Sequence, residues 1–267
     1  MVTVAVLGAG RIGRTVLAGL TRSGWPREDL IATVRRSEHI APIQDSLGVR
    51  VLSNTEAVDA ADIVVIAVKP QDAEDLLGQL PPLGPGKLVV SLCAGLPTSF
   101  FEKRLAAGTA IVRAMTNTPA LVDRAITVLS AGSHADETDL ERAEKLFTPL
   151  GGTLRLPEKH QDAVTALSGS GPAYFYYLVE AMTDAAILMG LPRSIAHDLI
   201  VQTIMGAATM LSETGEHPVQ LREAVTSPAG TTINAIRELE RHRVRAAVAD
   251  AVEAARDRGR AIAESMT

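Results

Sequence analysis

Two stretches of the chain carry residues whose types and spacing could do chemistry. In REAVTSPAGTTINAI (222–236) four hydroxyl side chains, Thr226, Ser227, Thr231 and Thr232, crowd around a Pro and a Gly. The segment is otherwise written for helices, and a plain linker needs no such cluster. Near the N-terminus, GAGRIG places Gly8, Gly10 and Gly13 in the G-x-G-x-x-G frame, after an apolar run and before a helical pattern. In that frame the first glycine permits a tight turn and the second lets backbone approach a pyrophosphate. The third lets helix and strand pack closely, and the helix N-terminus favours negative charge. The turn, Arg11 and Ile12 included, therefore predicts a dinucleotide.

The end of the second apolar run reads TVRRSEHI. An NAD site would carry an acidic residue there for the ribose hydroxyls, whereas Arg35, Arg36 and Ser37 suit a 2′-phosphate. NADPH is the expected cofactor, with NADH a weaker one; solvated surface arginines are the plainer alternative. Further on, AVKP ends a run with Ala67, Val68, Lys69 and Pro70, and SLCAG ends the next with Ala94 and Gly95. Asn54 and the MTNTP run (115–119) lie at similar positions. Ligands gather at the carboxyl ends of strands in open α/β sheets, so these are expected walls of a nicotinamide pocket. Asn117, Thr118 and Pro119 would equally suit a simple turn.

Oxidising an alcohol with a nicotinamide needs a group to take the hydroxyl proton, commonly Lys, His or Tyr. No Lys follows Lys159, and no Tyr is followed four residues later by Lys. His160, His197, His217 and His242 sit in no Gly-rich turn with an acidic orienter, and their spacing predicts no metal site. An imine asks for less, because a protonated C=N carbon accepts hydride readily and solvent can supply the proton. Backbone N–H groups around Gly230 and Thr231 at a helix start could bind a carboxylate while Ser227 and Thr232 orient a ring. A helix N-cap would use only one or two of the four hydroxyls.

The elements that must position these groups fall into two patterns. Up to about residue 157, short β-branched runs alternate with helical segments, predicting βαβ units on a mainly parallel sheet. The expected strands are 2–8, 30–34, 62–68, 87–93, 110–115, 125–131 and 152–156. After Pro157 the chain is rich in Ala, Leu and Met and predicts only helices, with Gly190 as a stop and Pro192 near the next start. The expected domains are thus 1–157, an α/β dinucleotide-binding domain, and 158–267, an all-α domain. Small residues in AAILMG and MGAATML and broad apolar faces predict a helical homodimer.

The whole chain of 267 residues has 46% hydrophobic and 21% charged residues and a net charge of −5, which lacks the basic field of a nucleic-acid binder. Cys93 is the only cysteine, which rules out an internal disulfide and fits a reducing compartment. No basic region precedes the first apolar run, and no stretch reads as the roughly 20 apolar residues that span a bilayer. The expectation is a soluble cytoplasmic protein without membrane or nucleic-acid partners.

LSGSGPAYFYYLVEAM (167–182), then MGLPRSIA and VTSPAGTTINAI, together with GAGRIG, AVKP, SLCAG and MTNTP in order, closely resemble pyrroline-5-carboxylate reductases over nearly the whole chain. The resemblance implies a Rossmann-like domain followed by a dimerising helical domain, and NADPH-dependent reduction of a cyclic imino acid to proline. It implies cofactor contacts at Gly8, Gly10 and Gly13, Arg35 to Ser37, Asn54, Ala67 to Pro70, Ala94 and Pro119. Ser227, Gly230, Thr231 and Thr232 correspond to the substrate loop, with Thr232 as candidate proton-relay donor. Dimers through the C-terminal helices, often assembled into decamers, are implied as well. Ala229 stands where many members carry Gly, which stiffens the loop. SGSGPAY reads mainly as a helix break, with its tyrosines at the dimer interface, and otherwise as a wall of the substrate pocket. Reduction of another cyclic imino acid, or a dinucleotide sensor without catalysis, are the alternatives.

Overall fold

The computed structural model describes residues 2–84 and 86–264. Its first half opens with β1 (Val4–Leu7), α1 (Arg11–Arg22), β2 (Leu30–Ala32), α2 (Ile40–Leu47), β3 (Arg50–Val51), α3 (Asn54–Ala60) and β4 (Ile63–Ile66). It continues with α4 (Ala73–Leu77), β5 (Leu88–Ser91), α5 (Thr98–Glu102), β6 (Ala110–Met115), β7 (Ala125–Ala131), α6 (Glu137–Phe147) and β8 (Gly151–Arg155). The strands form one sheet in the order β3-β2-β1-β4-β5-β6-β7-β8, parallel except where β7 runs against β6. The order turns outward in both directions from β1, so a crevice opens beside its carboxyl end.

The unbroken apolar runs are explained by cover on both faces. Val4, Val6, Val65 and Val90 join one core with Leu17 and Leu20 of α1 and Leu146 and Phe147 of α6. Ala5, Leu7, Val64 and Val89, the alternate positions, join a second core with Val58 of α3, Leu77 of α4 and Phe101 of α5. Phe101 and Phe147 are fully buried, each contributing on the order of 2–3 kcal/mol by removing its ring from water. Every expected strand is present; β3, two residues long and half-exposed, has no alternation to announce it.

After β8 the described residues form only helices: α7 (Gln161–Val164), a π-helical turn at Thr165–Gly169, α8 (Gly171–Leu188), α9 (Arg193–Thr214), α10 (Pro218–Ala224), α11 (Thr231–Arg241) and α12 (Val244–Glu264). Contacts divide the chain into two compact units, Met1–Pro172 with Ala254–Thr267, and Ala173–Glu253. The first unit therefore runs past Pro157, where the composition changes, and side-chain bonds explain why. Buried Gln161 donates to Val128 O at 3.1 Å and Ser130 Oγ at 2.9 Å. Asn117 Nδ2 donates to Ser168 O in the π turn at 3.1 Å. The Arg113 guanidinium on β6, 7% exposed, reaches Glu158 and Asp162 at 3.5 and 3.4 Å. From α12, Arg260 lies 3.6 Å from Asp162.

The second unit leaves much apolar surface open in the single chain. Leu188 is 90% and Tyr177 71% exposed, and only Ala196 and Ile200 are buried on α9. By length and composition α9 could cross a bilayer, against the expectation that no stretch would. Length and composition alone are weak evidence for a span, and open apolar faces equally suit a protein partner.

Candidate functional site

The glycine turn of the first unit shows why two of its glycines are required. Gly8 has φ +90°, and a Cβ there would stand 2.5 Å from Val68 Cγ1. A Cβ on Gly13 would stand 2.5 Å from the Gly8 carbonyl oxygen. Gly10 is different: a Cβ would meet nothing within 4 Å. It caps α1 without a side chain, so the first N–H groups of α1 face open space, where an anion is favoured. Thr33 at the end of β2 braces the turn, accepting from Gly8 N through Oγ1 at 3.2 Å and from Ala9 N through its carbonyl at 2.8 Å.

Two cavities flank this turn. One of about 460 Å³ runs from the end of β2 to the start of α3, lined by Gly8, Thr33, Arg35, Ser53, Asn54 and Asp72 among others. Both ends of α3 are fixed, which holds Asn54 in place. Ser53 and Glu56 form a reciprocal capping box at its start, and Lys87 Nζ donates to the carbonyls of Val58, Asp59 and Ala61 at 2.6–2.9 Å. The bond to Ser53 also holds the Glu56 carboxyl below its usual range. The second cavity, about 490 Å³, lies over the start of α1 and is lined by Gly8, Gly10, Arg11, Ile12, Ala67, Val68, Lys69, Thr118 and Leu121 among others. Gly8, Val34, Arg35, Val68 and Asp72 belong to both cavities. Two recesses of similar volume thus meet at a helix start, and the residues present fit a dinucleotide.

Among the residues expected from sequence, Arg36, Ser37, Pro70, Ala94 and Pro119 are not among those lining the two cavities, and Gly13 acts by packing. Arg36 is exposed and faces Glu38 at 3.4 Å. Pro70 instead starts the 3-10 turn Pro70–Asp72 that follows Lys69. Pro119 lies in the 3-10 turn Thr118–Val122, whose neighbours Thr118 and Leu121 line the cavity in its place. Thr33, Asp72 and Leu121 were not anticipated. The rule that ligands gather at strand ends points to their loops, but the facing side chains depend on turn geometry.

Cys93 is buried beside this cleft, 3.5 Å from Val68 O. Burial pushes its thiol up to about 12, so it is no nucleophile near neutral pH.

In the second unit the hydroxyl cluster bridges α10 and α11. Gly230 N donates to Ser227 O at 3.1 Å across Pro228 and Ala229, and Ala229 has φ +58°. Pro second and a positive φ third is the pattern of a type II turn, whose third position favours glycine. The Ala229 methyl thus makes the turn strained as well as stiff. A Cβ on Gly230 would overlap Ser227 Oγ, so this glycine brings Ser227 close to the start of α11. Gly230 caps α11 without a side-chain bond, and the side chain of Asn234 donates to its carbonyl at 2.9 Å. Thr226 is absorbed by architecture, its hydroxyl donating to Arg222 O at 2.6 Å. Among the described residues, the hydroxyls of Ser227, Thr231 and Thr232 make no hydrogen bond. Ser227 and the first two residues of α11, Thr231 and Thr232, thus leave three hydroxyls at a helix N-terminus, groups able to hold a carboxylate and donate to a ring.

A doubly wound sheet with a glycine turn at its switch point, joined to a helical half, defines the class of dinucleotide-binding oxidoreductases. Residues 3–95 match the family model described as NADP oxidoreductase coenzyme F420-dependent. Residues 158–262 match the one described as pyrroline-5-carboxylate reductase dimerisation, which marks this half as an oligomerisation unit. The chain is 41% identical to the pyrroline-5-carboxylate reductase of Mycobacterium tuberculosis (strain ATCC 25618 / H37Rv), over 97% of this chain and 96% of that protein. It is 40% identical to that of Methanosarcina acetivorans, over 96% of each. The crystal structure of Plasmodium falciparum pyrroline carboxylate reductase with NADP bound is similar at a TM-score of 0.90 and 29% identity, with 98% of both chains covered. The chain belongs to the pyrroline-5-carboxylate reductase family.

Proposed function

We propose that this protein is an NADPH-dependent reductase that converts the cyclic imine 1-pyrroline-5-carboxylate to L-proline, the last step of proline biosynthesis. Bound NADPH supplies the hydride for the imine carbon. Residues 1–157 act as the dinucleotide-binding domain, with Gly8, Gly10, Arg11, Ile12 and Gly13 at the pyrophosphate turn and Arg35, Arg36 and Ser37 at the 2′-phosphate. Asn54, Ala67, Val68 and Lys69 complete its cleft. Residues 158–267 bind substrate and dimerise. The N–H groups at the start of α11 hold the substrate carboxylate, Ser227 and Thr231 orient it, and the Thr232 hydroxyl relays a proton to the ring nitrogen. The protein works in the cytoplasm as a homodimer through its C-terminal helices, able to assemble into a decamer.

One observation carries this reading: the three hydroxyls without a hydrogen bond among the described residues, on Ser227, Thr231 and Thr232 at the start of α11, in a chain that also holds a dinucleotide cradle. The test follows loss of nicotinamide absorbance when purified protein is mixed with NADPH and the imine; no turnover rejects the reading. Thr232→Ala should lower kcat by about a hundredfold or more, the ordinary worth of a positioned proton donor, with the Kd for NADPH unchanged. Unchanged turnover would remove Thr232 from the relay.

A further inference from the structure

Each arginine of the ribose loop faces a carboxylate. Arg36 lies 3.4 Å from Glu38, which is also 3.8 Å from His39 Nε2. Arg35 Nη1 lies 3.6 Å from Asp72 Oδ1, and these two residues line both cavities. Asp75 adds a second carboxylate to the wall of the first cavity. The partners of the Arg35 pair come from opposite sides of the switch point, Arg35 after β2 and Asp72 after β4. Asp72 is held there by its backbone, since it closes the 3-10 turn with its N–H donating to Lys69 O at 2.9 Å. It stands at the N-cap of α4 yet makes no side-chain cap bond, so its carboxylate is not engaged in capping. Arg35 is 87% and Asp72 43% exposed, and a pair so exposed contributes little to folding. Its consequence lies in what it does to a ligand.

We propose that Asp72 is a specificity-determining residue that holds down the preference for a 2′-phosphorylated dinucleotide. This rests on the reading of Arg35 to Ser37 as the phosphate loop. A 2′-phosphate carries nearly two negative charges and must share Arg35 with the Asp72 carboxylate, which opposes it. A ribose with a free 2′-hydroxyl meets no such repulsion, and a carboxylate can accept its hydrogen bond, as the acidic residue of NAD sites does. Arg35 and Asp72 together therefore make a cleft that takes both forms of the cofactor and discriminates less than its arginines alone would.

Calorimetric binding of 2′,5′-ADP and 5′-AMP tests this without turnover. For a screened charge pair at the cleft surface, Asp72→Asn should tighten 2′,5′-ADP about three- to tenfold, less at high salt. It should leave 5′-AMP unchanged or weaker. Asp75→Asn, in the same wall but unpaired with Arg35, should change 2′,5′-ADP less. Arg35→Ala with Arg36→Ala should lose the advantage of 2′,5′-ADP over 5′-AMP. If that variant keeps the advantage, the phosphate-loop reading falls and the proposal with it. If the arginine variant loses it while Asp72→Asn leaves 2′,5′-ADP unchanged or weaker, the loop stands and the role of Asp72 is overturned.

Discussion

Replacing Arg113 by Met keeps an unbranched side chain in its buried slot on β6 but removes the guanidinium that faces Glu158 and Asp162. Removing one partner of a fully buried ion pair costs about 3–5 kcal/mol, because the opposite charge is left uncompensated. Two features of the structure reduce that figure. Both carboxylates are 26% exposed, and Glu158 keeps bonds from Thr98 N and Oγ1, each at 2.7 Å. The expected loss is about 2–3 kcal/mol, and at roughly 2–4 °C per kcal/mol for a chain of this size the Tm falls by about 4–12 °C. Urea unfolding at a fixed protomer concentration measures it, since association adds to apparent stability. In a background carrying Glu158→Gln and Asp162→Asn, the same replacement should cost less than half as much. A loss below about 1 kcal/mol, or an equal loss in the neutral background, would refute the charge argument.

Gly8→Ala should weaken dinucleotide binding more than tenfold and lower stability by about 2 kcal/mol or more, the cost of a left-handed backbone plus the Val68 contact; calorimetry and urea melts check both. Cys93 should resist a disulfide reagent at pH 8 in the native protein, since its thiol titrates only near 12, and react fully after unfolding. Asp123 beside Arg22 and Glu144 beside Arg155 are held below the usual carboxylate range. Folded values below unfolded ones mean stabilisation present above about pH 4–4.5 and lost as pH falls through the lower folded values. Urea midpoints measured from pH 7 to 3 should drop in that window, and Asp123→Asn should flatten the drop.

AIVRAM and AITVLSA mark β6 and β7 to the residue, because an apolar run bounded by turn residues has one way to lie in a covered sheet. GAGRIG could be read as a strand–turn–helix unit for the same reason: Gly8 and Gly13 leave room only for backbone and neighbouring strands. The division between the compact units was not legible at Pro157. Composition changes there, but Arg113, Asn117 and Gln161 tie the following turns to the sheet through contacts 33 to 51 residues apart in sequence. Arg35 could be named from its strand end, whereas its partner Asp72 could not, since the two meet only once β2 and β4 flank β1. In the hydroxyl cluster, four residues of one chemical type divide by geometry alone: Thr226 turns back on α10, and the other three stay available.

The compact unit that holds the dinucleotide cleft is discontinuous along the chain: it ends at Pro172 and resumes at Ala254, within α12. During vectorial synthesis its sheet emerges early, but the Arg260–Asp162 contact waits until all of Ala173–Glu253 has been made. The helical unit is in effect an insertion between two parts of the same structure. Translation therefore delivers the last piece of the nucleotide-binding unit after the helices that expose the most apolar surface, and this nascent protein closes its first-made half last.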